Sequence, residues 1–135
     1  MSQNKKYLAL DVGEKRIGVA MADAAVKIAV PIETIGVDGS ELEAIAKYIA
    51  REEADVVVVG YPRNQSGDPT AQTSYVEEFV KKIEVFAPNI VFQDESLTSV
   101  MAENRLKELG KPYSKADIDA HAAAIILQDY LENVA

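Results

Sequence analysis

Apolar residues in the first third of the chain come in short runs. Tyr7 to Asp11 is one run, ending at an acid, and Ile17 to Met21 is a second. The turn Gly13-Glu14-Lys15-Arg16 between them predicts a β-hairpin, with Gly13 permitting a positive-φ turn. Val26 to Ile35 continues in β-branched residues and contains Pro31, which has no backbone donor and suits an edge strand. The spacing then changes: Leu42, Ile45, Ala46 and Ile49 recur at helical intervals, with Ser40 placed to cap the helix.

Asp55 to Gly60 holds four consecutive valines, the pattern of a strand buried on both faces. The polar stretch from Tyr61 to Pro69 reads as a loop, and Val76, Phe79, Val80 and Ile83 mark a second amphipathic helix. Asn89 to Gln93 is a fifth strand. Leu97 to Leu109 predicts a helix stopped by Gly110, and Ser114-Lys-Ala-Asp117 is a capping box opening a last helix that runs to about Asn133. Three antiparallel strands are thus followed by strands and helices in alternation. Right-handed crossovers set the fourth and fifth strands parallel to the first, with helices on both faces. The expected fold is α/β and ribonuclease H-like: a five-stranded mixed sheet in the order 3-2-1-4-5, occupying residues 1–135 as a single domain.

Composition narrows the chemistry. No apolar run is long enough to span a bilayer and the N-terminus lacks a signal-peptide pattern, so a cytoplasmic protein is expected, with no membrane partner. The absence of cysteine excludes thiolate zinc sites and thiol nucleophiles, and the single histidine, His121, cannot build a multi-imidazole site. Any metal must be held mainly by oxygen. A net charge of −8 weighs against a nucleic-acid partner, which usually meets a basic surface. However, Lys15, Arg16, Arg63, Arg105, Lys111 and Lys115 are all expected in or near loops at one end of the sheet.

Three acids fall at that same end. Asp11 closes the first strand, Glu95 follows the fifth, and Asp119 is expected in the first turn of the last helix. Gly60, at the end of the intervening fourth strand, leaves room for the carboxylates to lean together. Clustered carboxylates repel unless a cation compensates, which points to magnesium or manganese. Two such ions about 4 Å apart can activate a water and stabilise a leaving oxygen in phosphodiester hydrolysis, with no nucleophilic side chain. Each acid also has a plainer explanation. Asp11 is a turn former by type, Glu95 and Asp119 suit the dipole of the helix that follows or contains them, and Asp117 is explained by its capping box. A lone His121 is better read as a packing or surface residue than as a base. Arg16, at the hairpin tip, suits either a phosphate or a nearby acid, and Arg63 and Asn64 suit either backbone contacts to nucleic acid or plain solvation.

Four segments together resemble the YqgF/RuvX family of Holliday junction resolvases and pre-16S rRNA nucleases. Leu8-Ala-Leu-Asp11-Val-Gly-Glu-Lys-Arg16-Ile-Gly-Val-Ala20 is similar to its opening strand and turn, and Val57-Val-Val-Gly60-Tyr-Pro-Arg63-Asn-Gln-Ser-Gly67 to its glycine-proline loop. Asp94-Glu95-Ser-Leu-Thr98-Ser99 is similar to its acidic segment, and Asp119-Ala-His-Ala-Ala-Ala-Ile-Ile-Leu-Gln-Asp-Tyr-Leu131 to its final helix. The resemblance implies metal-dependent cleavage with Asp11, Glu95 and Asp119 at the acidic positions, Mg2+ or Mn2+ as cofactor, and structured RNA such as pre-16S rRNA, or branched DNA, as partner. Resolving a symmetric junction would call for a homodimer. Two departures stand out: Ser96 replaces an Arg common after the acidic pair, and Tyr61 and Arg63 occupy positions where Leu is frequent. Two rivals remain, a non-catalytic nucleic-acid-binding module and an ATP-binding domain of the actin type, which closes on its nucleotide with two such domains.

Overall fold

The computed structural model describes residues 5–62, 70–95 and 98–133, with the side chains of residues 95–99 outside that description. Strands β1 (Lys6–Val12), β2 (Arg16–Asp23) and β3 (Val30–Gly36) form an antiparallel meander. In the first hairpin Asp11 faces Gly18 and Val12 faces Ile17, and the turn is closed by Gly13 N donating to the Arg16 carbonyl at 3.0 Å. Strand β4 (Val56–Pro62) lies parallel to β1, and β5 (Ile90–Glu95) lies parallel to β4. The sheet order β3-β2-β1-β4-β5 is the one expected. Pro31 sits on the edge strand opposite Ala20, beside a register shift at Val19/Ala20.

Period-two alternation explains the run of valines. Val57 and Val59 join Leu8, Leu10 and Val12 on one face, against helices α1 (Glu41–Glu52) and α2 (Ala71–Ile83). Val56 and Val58 face the other way, with Tyr7, Ala9, Ala20 and Ala22, toward helix α4 (Lys115–Asn133). That second face is built largely of small residues, so the α4 backbone can lie close to the strands. Helix α3 (Thr98–Leu109) packs on the outside of α4 around Ala102, Ala122 and Ile125.

Local chemistry fixes the ends that matter for function. Thr70 and Thr73 form a reciprocal capping box at the start of α2. The buried Thr73 hydroxyl also donates to the Pro62 carbonyl, tying α2 to the end of β4. The expected capping box of α4 is present: Ser114 N donates to Asp117 Oδ2 at 2.9 Å and Asp117 N to Ser114 Oγ at 3.3 Å. Ser40 does stand at the N-cap of α1, but its hydroxyl bonds Asp38 instead of the helix backbone. Gly13 also differs from expectation, because positive φ among the described glycines occurs at Gly39 and Gly110. Position 13 needs glycine for closeness: a Cβ there would meet the Arg16 carbonyl oxygen at 2.7 Å.

Candidate active site

Asp11 is the penultimate residue of β1, and strand alternation puts it on the α4 side with Tyr7 and Ala9. Its ladder partner Gly18 is where α4 comes down on the sheet, since a Cβ at position 18 would stand 2.0 Å from the Asp119 carbonyl oxygen. The bare strand therefore seats the Asp119 backbone directly on the partner of Asp11. Asp119 is the fifth residue of α4, one turn beyond the cap, so it does not lie in the first turn as expected. The helix dipole is weaker there, and the seat on Gly18 is the better explanation of its placement.

The two carboxylates feel each other. Burial, and then the charge of Asp119, push the Asp11 carboxyl up from 3.8 to about 7. Arg16, the first residue of β2, donates from Nε to Asp119 Oδ2 at 2.6 Å, with the Asp119 side chain 18% exposed and that of Arg16 39%. Of the two sequence alternatives for Arg16, the observed contact is with an acid, and that acid belongs to the expected site. A cleft of about 340 Å³ opens here, lined by Asp11, Gly13, Glu14, Lys15, Arg16, Gln72 and Asp119. Gln72 was not singled out from sequence. It stands in the first turn of α2 and donates from Nε2 to the Val12 carbonyl at 2.9 Å, bracing the end of β1. An isolated polar residue in a helical stripe gives no sequence signal for this.

The other expected residues divide. Glu95 is the last residue of β5, opposite Pro62, and does not follow the strand as expected. The pairs Leu10↔Val59 and Val59↔Phe92 place Gly60 and Gln93 level with Asp11, one step on, and Glu95 two residues further. Strand spacing then separates the α-carbons of Asp11 and Glu95 by about 12 Å, a gap that a Glu and an Asp can close only by leaning toward each other. The Glu95 side chain, and Arg63 and Asn64 altogether, lie outside the described residues. Lys15 lines the cleft, whereas Arg105, expected near the same end of the sheet, belongs to α3 and acts electrostatically on Asp129, ten residues along α4 from Asp119. That is about 15 Å at the helical rise. His121 contacts the Asp117 carbonyl through Nδ1 at 3.0 Å and lines a different pocket, with Glu33 and Thr34.

Comparison with known proteins decides the ancestry of this arrangement. Residues 5–133 match the model of the RuvX family, described as Holliday junction resolvase. The chain belongs to the RuvX family. One RuvX relative, from Chloroflexus aurantiacus, is 44% identical over 131 residues, covering 93% of this chain and 85% of its own length. Another, from Fusobacterium nucleatum, is 38% identical over 134 residues, covering 95% and 97%. Both carry the name "Putative pre-16S rRNA nuclease". Among solved structures, Thermus thermophilus RuvC in complex with Holliday junction substrate superposes with a TM-score of 0.58 at 16% identity, covering 96% of this chain and 95% of that one. The Fowlpox virus resolvase bound to Holliday junction DNA gives 0.59 at 13%, covering 96% and 98%. At such identities the likeness speaks to architecture, and it establishes the ribonuclease H-like fold of this RuvX chain.

Proposed function

We propose that the cleft between β1, the first hairpin and α4 is the active site of a metal-dependent endonuclease. The observation that carries this is Asp11. It is a partly buried carboxyl with no cationic partner among the described residues, raised to about 7 by the desolvation of its surroundings and by the charge of a second acid. A fold that holds two partly buried acids together in one cleft loses stability unless something compensates their charge. The donors are hard oxygens without sulfur or imidazole, which suits Mg2+ or Mn2+. Asp11 and Asp119 would hold the metal, with Glu95 completing the set from the end of β5.

When bound, such ions lower the pKa of an attacking water and stabilise the leaving oxygen of a phosphodiester. The chain's own residues supply position. Gln72 and the Asp11↔Gly18 pairing fix the end of β1, and the seat on Gly18 fixes Asp119. Lys15 and Arg16 put two cations on a cleft wall that also carries Glu14, so the acids of the site stand among positive groups that a phosphate chain could meet. Arg63 and Asn64, which follow β4 in the sequence, are assigned to further backbone contacts.

The leading substrate is structured RNA, with pre-16S rRNA favoured by the names of the relatives and its 5′ end by the resemblance of the four sequence segments; the setting we assign is the cytoplasm. The family description favours a second reading, a Holliday junction resolvase acting as a homodimer on branched DNA. A panel of precursor ribosomal RNA, a four-way DNA junction and single-stranded RNA, each with Mg2+, Mn2+ or EDTA, separates these. Cleavage of the precursor with metal and none in EDTA is expected. Cleavage of the junction alone would transfer the assignment to DNA, and binding without cleavage of any substrate would leave a non-catalytic module.

A further inference from the structure

The contact between Arg16 and Asp119 has a feature that a surface ion pair lacks: its acid is one of the three carboxylates assigned to the metal. Arg16 approaches Asp119 Oδ2 through Nε, at 2.6 Å, on the side chain's inner edge. No hydrogen bond of its two terminal nitrogens is found among the described residues, and the side chain is 39% exposed in the cleft. Asp119, at 18% exposure, is the less accessible partner, so one of its two oxygens is masked by Arg16 when the cleft is empty. A cation approaching that oxygen meets a like charge. Conversely, a guanidinium released from Asp119 stays in the cleft, where a phosphate matches its fork of donors.

Building on the proposed metal site, we propose that Arg16 is an exchangeable latch on Asp119: it masks the acid until a divalent cation displaces it, and the freed guanidinium then binds a backbone phosphate of the substrate. Metal and nucleic acid are thereby coupled, each making the other's site available. Arg16 is in this sense a positioning residue for the metal ligand and a binding residue for the phosphodiester. Lys15 lines the same cleft and carries the same charge but makes no bond to Asp119, which makes it the internal control for simple loss of positive charge.

The test is the affinity for Mn2+ alone, followed through the electron paramagnetic resonance signal of the free ion, in the full chain without nucleic acid. Arg16→Gln is expected to bind Mn2+ about tenfold more tightly than the parent, on the scale of one charge-assisted hydrogen bond. Lys15→Gln is expected to gain clearly less, and Arg16→Lys, which keeps a cation for Asp119, to stay near the parent. Circular dichroism confirms that each variant is folded. Equal gains in Arg16→Gln and Lys15→Gln would reduce the effect to bulk charge and overturn the latch. Weaker Mn2+ binding in Arg16→Gln would also overturn it, by showing that Arg16 holds Asp119 in the metal-binding pose. If neither parent nor Arg16→Gln binds Mn2+, the metal site itself is lost, and the latch with it.

Discussion

A methyl group on Gly18 would stand 2.0 Å from the carbonyl oxygen of Asp119 and 2.4 Å from its carbonyl carbon. Both neighbours are backbone, so no side chain can turn aside to make room. The absence of a side chain on β2 therefore sets how closely α4 approaches the sheet, and through Asp119 it sets the geometry of the acidic pair. Gly18→Ala must push the second turn of α4 outward. The expected loss is about 3 kcal/mol, at the upper end of ordinary overpacking because the clash is with main chain. Urea unfolding measures it, and a variant within about 0.5 kcal/mol of the parent would show that the contact yields easily.

Asp11 is expected to make the protein in EDTA sensitive to pH in an unusual direction. A carboxyl whose folded value, about 7, lies above its unfolded value of 3.8 binds an extra proton in the native state between those limits. The protein in EDTA is expected to lose stability as pH rises from about 4 through about 7, by up to roughly 4 kcal/mol. Asp11→Asn, which cannot ionise, is expected to lack that loss and to exceed the parent's stability at pH 7.5. Denaturant melts of both proteins at pH 5.5 and 7.5 check this. Parallel pH profiles would show that Asp11 ionises without penalty.

Thr73 is the buried polar residue that joins α2 to the end of β4. Its hydroxyl accepts from Thr70 N at 2.9 Å and donates to the Pro62 carbonyl. Thr73→Val keeps the volume but leaves both backbone groups without that partner, so a loss of about 1–3 kcal/mol is expected. Because Gln72 is the adjacent residue and braces Val12, catalytic turnover is expected to fall as well. Unfolding and cleavage assays on the same preparation test both, and unchanged stability would mean that water replaces the hydroxyl.

Much of the fold, and the meeting of Asp11 with Asp119, was legible before any coordinates. Hydrophobic period and turn chemistry located the strands and helices of the described residues, with β3 starting at Val30 and not at Val26, and the ribonuclease H-like succession of elements placed β4 between β1 and β5. What sequence left open was depth along elements. Asp119 belongs to the second turn of α4 and Glu95 to β5 itself, because strand pairing and a capping box decide element ends and both act through neighbours. The function of Gly18 was invisible for a related reason: a glycine in a strand announces a close approach without saying what approaches. Arg105 is near a loop in sequence, whereas in the fold it belongs to α3 and its charge is felt by Asp129. Gln72 required the tertiary contact with Val12 to be noticed at all.

The most direct test of the central claim is Mg2+-dependent cleavage of precursor ribosomal RNA by Asp11→Asn. The variant is expected to keep its fold by circular dichroism while losing cleavage by more than about 100-fold, beyond what loss of a supporting hydrogen bond around a metal does. A folded Asp11→Asn protein that still cuts the precursor at the parental rate would contradict the account.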